Sequence, residues 1–422
     1  MLQNPFYLFF TACLGLFFWA GYRRIFAEVP YRHSLWSFLG EECAQGQRRA
    51  IVRALLAGLP GDSGAMAWIL TMAALCLGGA GALFWYLVFS LLWLHPLGAL
   101  AGLWRYYQPG CGGRVELSAL LEGILCRKRA RARPGLGRLL RWLQTLALCG
   151  MLPLLFRILA SPSAPARGAG LLPWLVVLLA LWLLCRLVGE RGETVLSLLF
   201  LLLLAAALLG NLPNLIPAVK LVLLDAFDRS RFLFSLSGAG LAAALQAGGA
   251  AGCGGALLRT LSAREEGPSF AHPAQAAFYE ELRGLLQLTV QLALGLLFLC
   301  ARLVPEDNRW PQTCLWAFLC LFGLLWLGRA VRALARPEGR RCGLLCLGLV
   351  GAAAVWDIWK GTALLPGLSG GAAGLASLAL AGLLLFDSNW YFLLLEHYRD
   401  VHIWHVTPHP DLMQTEMERK NM

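Results

Sequence analysis

The chain has 422 residues, of which 58% are hydrophobic and only 14% are charged, and its mean hydropathy is +0.63. Soluble globular proteins contain about 45–50% apolar and about 25% charged residues, so this composition excludes a soluble globule and predicts an all-α polytopic membrane protein. The net charge of +12 does not indicate nucleic-acid binding. The basic residues lie in short loops between apolar segments, where orientation in the membrane accounts for them.

The first apolar run, residues 5–21, is followed by Arg23 and Arg24 and preceded by no basic residue. This charge order is wrong for a signal peptide, so the run is predicted to remain as a membrane anchor. Eleven runs in total are long enough to cross a hydrocarbon core of about 30 Å. They are 5–21, 61–78, 80–103, 143–160, 169–187, 194–213, 233–258, 285–303, 312–328, 342–356 and 364–386.

Basic residues concentrate in every second loop between these runs, above all in the loops 105–141 and 329–341. The positive-inside bias therefore predicts a protein of the plasma (inner) membrane with its N-terminus outside and its C-terminus in the cytoplasm. The chain is expected to form one transmembrane domain over residues 1–422. Its parts are an extra N-terminal helix at 5–21, a core at 47–387 and a cytoplasmic amphipathic tail at 388–422.

The stretch from Gly58 to Trp85 places polar and helix-breaking residues at the mouth of an apolar helix. They are Pro60, Gly61, Asp62, Ser63 and Gly64, and a short amphipathic helix from Arg48 to Leu59 is predicted to lead into them. Broken helices of this kind form the substrate and ion sites of secondary transporters. The alternative is that Pro60 is the first-turn proline of an ordinary helix and Asp62 is a solvated carboxylate.

A second unusual stretch, Phe232 to Leu261, contains seven glycines, including Gly248 and Gly252. Each glycine costs a helix about 1 kcal/mol relative to alanine, which favours either an interrupted helix or one packed closely on another backbone. Both interpretations remain open from the residues alone.

Enzyme chemistry is not predicted. The sequence has no Walker-type element and no nucleophile-elbow spacing, so it nominates no catalytic residue. His402 and His405 lie three residues apart in the tail, but zinc sites usually gather three or four ligands, so an amphipathic helix at the membrane surface is favoured there. No residue is assigned to a metal.

Four blocks of sequence resemble the alanine/glycine:cation symporter family, sodium-coupled carriers of small amino acids with a LeuT-like fold. The blocks are GGAGALFW from Gly78 to Trp85, SGAGLAAALQAGGAAG from Ser237 to Gly252, VWDIWKGTALLPGL from Val355 to Leu368, and the first helix followed by Tyr22, Arg23, Arg24 and Phe26. They occur in the family's order, and the resemblance as a whole covers most of the chain but is weak between about 105 and 230. The resemblance implies that helices two to eleven form a five-plus-five inverted repeat after one extra helix.

The resemblance also implies a central substrate and ion site. Its residues are Pro60, Gly61, Asp62, Ser63, Ser237, Gly238, Gly240 and Ala243. Several departures from the family fall on these positions. Asp62 stands where the family has an asparagine, and Gly240 and Ala243 stand where it has threonine and glutamine. The chain thus loses neutral oxygens that bind sodium and gains an acid that can carry a proton.

The function implied is symport of alanine- or glycine-sized amino acids by alternating access, coupled to sodium or protons, with no other cofactor. The predicted partners are the amino-acid substrate and membrane lipid. The altered ligand positions leave one alternative of a different class. This is a transport-inactive relative that keeps the fold and acts as an interaction or regulatory protein.

Overall fold

The computed structural model describes residues 45–59, 65–91, 142, 179–180, 183, 190–228, 273–303, 315, 318–326, 328, 341, 343–346, 348 and 352. Every regular element formed by these residues is a helix. We label the main ones α1 (Gln45–Gly58), α2 (Ala65–Gly78), α3 (Ala82–Leu91), α4 (Glu190–Gly210), α5 (Leu212–Phe227), α6 (Pro273–Leu303) and α7 (318–326).

Helix α1 confirms the amphipathic helix predicted before Pro60. Its exposed side carries Arg49, Val52 and Arg53, whereas Ile51 is buried against Tyr279 of α6. Helix α1 also packs on α4. Burial of Ile51 and exposure of the two arginines reproduce the two faces that the helical period assigns.

A sharp turn separates α2 from α3, at the boundary predicted between two apolar runs. Gly79 has a φ of 78°, a left-handed conformation that a residue without a Cβ adopts at little cost. Beyond the turn, the hydroxyl of Thr71 lies 3.4 Å from that of Tyr86. In a continuous helix these residues would be about 22 Å apart, so the chain reverses and the two helices form a hairpin.

Helices α4 and α6 contain segments long and apolar enough to cross a membrane, Arg191–Gly210 and Phe278–Cys300. In α4 one side is buried at Phe200 and Leu204, while the other side exposes large apolar residues, including Leu202 at 66%. Water disfavours a continuous apolar surface of this kind, whereas hydrocarbon accommodates it. The composition and these two helices therefore agree on a membrane protein.

Helix α5 was not predicted, because its two prolines and Lys220 interrupt the apolar pattern. The predicted run 194–213 contains most of α4, a turn at Asn211 and the start of α5. The Ala207 carbonyl near the end of α4 accepts from both the side-chain amide of Asn211 at 2.8 Å and its backbone N–H at 3.2 Å. Pro213 lies in the first turn of α5, where its missing N–H costs no helical hydrogen bond.

The apolar core joins α2, α3, α4, α5, α6 and α7. Its largest fully buried side chains are Trp68, Tyr86, Phe200, Phe322, Trp326 and, on the α1 side of α6, Tyr279. The rings of Phe200 and Phe322 lie 4.8 Å apart and connect α4 to α7. This core fixes the inner face of α6 against its neighbours.

Several predictions lie outside the described residues. These are the anchor helix 5–21, the runs 143–160, 233–258 and 364–386, most of 169–187, the glycines Gly248 and Gly252, and the tail 388–422. The total of eleven helices, the inverted repeat and the orientation of the termini likewise stay predictions.

Candidate functional site

None of the eight residues predicted to bind substrate and ion is among the described residues. Pro60, Gly61, Asp62 and Ser63 fall between α1 and α2, and Ser237, Gly238, Gly240 and Ala243 fall between α5 and α6. Whether the two groups meet therefore stays a prediction. The structure does place the chain that leads into Pro60, since Leu59 is buried at 1% exposure.

The end of α1 receives a hydrogen bond from a neighbouring helix. The hydroxyl of Ser197 in α4 donates to the carbonyl of Leu56 at 2.6 Å and also lies 2.9 Å from the carbonyl of Glu193 in its own helix. In an α-helix the Leu56 carbonyl would accept from the N–H four residues later, but that residue is Pro60, which has none. Ser197 thus supplies the hydrogen-bond donor that Pro60 lacks.

A buried ion pair lies at the same end of α1. Arg283 Nη1 donates to Glu280 Oε1 at 3.2 Å within α6, and both residues are buried. The Arg283 guanidinium also lies against Gly58, in the space that a side chain there would occupy. Because the C-terminus of a helix carries partial negative charge, a cation at this position stabilises the last turn of α1.

The ion pair begins a row of buried polar residues along α6. Glu280, Arg283, Gln287 and Gln291 are spaced by three, four and four residues, and we call them the α6 polar ridge. At 100° per residue they fall within an arc of about 80°, and they extend over about 16 Å of the helix. The ridge therefore lies on one face of a helix that is long enough to span a membrane.

Sequence analysis missed the α6 polar ridge. The apolar run was placed at 285–303, which left Glu280 and Arg283 outside it, and the two glutamines were not singled out. The structure begins α6 at Pro273 and includes both charged residues in the buried part. The spacing of the four polar positions was the signal that identifies the ridge, since it repeats the period of a helix face.

The α6 polar ridge has no net formal charge, because Arg283 and Glu280 compensate each other and the glutamine amides are neutral. It offers both hydrogen-bond donors and acceptors inside an apolar bundle. Such an arrangement suits a polar solute without net charge better than a bare ion. Among the described residues, no three His, Cys, Asp or Glu side chains are grouped so as to hold a metal ion.

No protein-family model and no curated protein matches the chain. Among solved structures, it is similar to a mutant form of the manganese transporter of Eremococcus coleocola, with 14% identity over 92% of this chain and 93% of that one and a TM-score of 0.44. Similarity at this level assigns no family. The resemblance to alanine/glycine:cation symporters therefore remains a prediction carried by the sequence blocks.

Proposed function

We propose that this protein is a secondary active transporter that carries a small neutral amino acid, of the size of alanine or glycine, across the membrane by alternating access. The observation that carries the proposal is the α6 polar ridge, buried in a helix of membrane-spanning length. Ionisable and polar groups inside a membrane are expensive and generally mark a solute or ion pathway. Here the polar groups begin beside Gly58 at the end of α1, two residues before the predicted break at Pro60.

The charge balance of the site supports a zwitterionic solute. An amino acid has a carboxylate that accepts hydrogen bonds and an ammonium group that donates them, and the ridge offers both complements without net charge. Proteins of the resembling family carry solutes of this class. The size limit rests on that resemblance.

Asp62 is the proposed coupling acid, with a proton as the driving ion. The oxygens lost at Gly240 and Ala243 weaken a sodium shell, because sodium requires several oxygen ligands at once. A carboxylate at membrane depth instead takes up and releases a proton as access alternates. We therefore expect sodium dependence to be weaker than in the resembling family.

Uptake of labelled alanine into proteoliposomes tests the proposal, with a proton gradient, a sodium gradient or neither imposed. We expect uptake above that of protein-free liposomes, and a larger rate with the proton gradient. Asp62→Asn should abolish the proton-driven component. Asp225→Asn is the matched control, since it makes the same change at a half-buried position in α5, and it should leave the uptake rate intact.

Absence of uptake under all three conditions would favour the transport-inactive relative that acts as an interaction protein. Normal uptake by Asp62→Asn at every pH would instead assign Asp62 to a solvated helix start. In that case the proposed transport function would be retained, and a residue other than Asp62 would couple transport to the driving ion.

A further inference from the structure

Gln291 is a buried polar side chain in α6 without a hydrogen-bond partner among the residues that the structure describes. Its exposure is 0%, and neither Oε1 nor Nε2 finds a partner among the described residues. A native core rarely keeps an amide in this condition without a role for it.

The contacts on either side of Gln291 show which way its face of α6 points. Two turns earlier, Arg283 lies against Gly58 of α1, and one turn later Gly295 is packed against the side chain of Leu83 in α3. Residues 283, 287, 291 and 295 form one row at four-residue spacing, so Gln291 lies between these two contacts. Its amide is therefore directed into the helix bundle and away from lipid.

We propose that Gln291 binds the transported amino acid directly, its Oε1 accepting from the ammonium group and its Nε2 donating to the carboxylate. This inference rests on the proposed function and names a solute-binding residue for it. A carboxamide suits this role because it both donates and accepts without changing charge. The bound solute supplies the hydrogen-bond partners of Gln291 Oε1 and Nε2.

The test compares Gln291→Met with Leu294→Met in the full-length protein purified in detergent. Methionine has nearly the length of glutamine but no strong hydrogen-bonding group, so Gln291→Met removes an orphaned amide while filling its space. We expect its apparent Tm without solute to rise by about 2 °C or more. Leu294, also fully buried in α6, gives a volume-conserving control, for which no rise is expected.

The second measurement is the Tm shift and uptake produced by alanine itself. Wild type and Leu294→Met should be stabilised by millimolar alanine, and Gln291→Met should lose at least about tenfold in apparent affinity, as expected when a buried partner is removed. Glycine serves as a second probe. A variant that is more stable yet binds less is the signature of a residue kept for ligand binding.

Two outcomes would overturn the binding role of Gln291 without contradicting the proposed transport function. One is a Gln291→Met protein that folds poorly or melts below wild type, which would make the amide a structural group. The other is an unchanged alanine affinity in a folded variant. If neither alanine nor glycine stabilises the wild type and no uptake occurs, the proposed function itself fails and the inference fails with it.

Discussion

The two ends of the inner face of α6 differ in their contacts. Near α1, polar groups accompany the apolar contact of Ile51 with Tyr279, because the Glu280–Arg283 pair is buried there and its guanidinium lies against Gly58. Near α3 the contacts are close-packed, with Gly295 against Leu83. The polar contacts near α1 can exchange their partners for water or solute groups, whereas the close packing near α3 depends on complementary shapes.

The close-packed region extends from α3 to α5. A Cβ on Gly81 would lie 2.6 Å from the backbone nitrogen of Ala226, so only glycine fits without a shift. Trp85 Nε1 donates to the Ala226 carbonyl at 2.9 Å, and the rings of Phe84 and Phe227 are 5.2 Å apart. We therefore expect the α3–α5 contact to stay fixed during transport and the α1 end of α6 to rearrange.

Breaking the ion pair should have the largest effect on stability. Arg283→Met leaves Glu280 buried without its cation, which typically costs about 3–5 kcal/mol, so we expect low yield and a much reduced apparent Tm. Replacing both residues, as in Glu280→Met with Arg283→Met, should restore stability to within about 1 kcal/mol of wild type. Thermal unfolding in detergent provides the measurement.

Two comparisons complete this experiment. Arg53→Met, on the exposed side of α1, should change stability by less than about 0.5 kcal/mol. If the double variant is as unstable as Arg283→Met, then the contact of the guanidinium with α1 matters more than charge compensation. In uptake assays the stable double variant should be inactive, which would separate transport from folding.

The close-packed contact between α3 and α5 should be destabilised by the addition of a single methyl group. Gly81→Ala places its methyl group against the backbone of α5 and is expected to cost about 1–3 kcal/mol through overpacking. Gly210→Ala is the matched control, because nothing lies within 4 Å of its added Cβ. That change should be neutral or slightly stabilising. Equal melting temperatures for the two variants would show that α3 and α5 can move apart without a loss of stability.

The parts of this fold that could be predicted are those set by local chemistry. Run length and hydropathy located α4 and the apolar part of α6, helical periodicity identified the two faces of α1, and the boundary between the runs 61–78 and 80–103 located the turn between α2 and α3. Each depends on residues close together in sequence. The alternation of buried and exposed positions then follows from geometry.

The rest depended on contacts distant in sequence. Helix α5 forms despite Pro217 in its interior because it packs on α6 and receives Gly81 and Trp85 from α3. The α6 polar ridge was missed because charged residues at the edge of an apolar run are normally assigned to a loop. The packing of Tyr279 and Arg283 on α1 brings that edge inside the bundle.

The smallest expected effect concerns the Ser197 hydroxyl, which joins α4 to α1. Ser197→Ala removes the donor to the Leu56 carbonyl and should cost about 1–2 kcal/mol, because a half-buried acceptor loses its partner. Thr289→Ala removes a hydroxyl bonded only within its own helix and at an exposed position, so its melting temperature should hardly change. The difference between the two variants isolates the interhelical bond.

A double-mutant cycle with Pro60→Ala then tests why Ser197 is needed. Residue 60 regains an N–H in that background, and an α-helix continuing past Leu59 would direct it at the Leu56 carbonyl. If the helix continues, Ser197→Ala should cost clearly less there than in the wild type, with a coupling of about 0.5 kcal/mol or more. If the backbone breaks at residue 60, the N–H points elsewhere and the cost of Ser197→Ala stays the same. The proposed site requires that second result, because a continuous helix through residues 60–63 leaves no open backbone groups for a solute to bind.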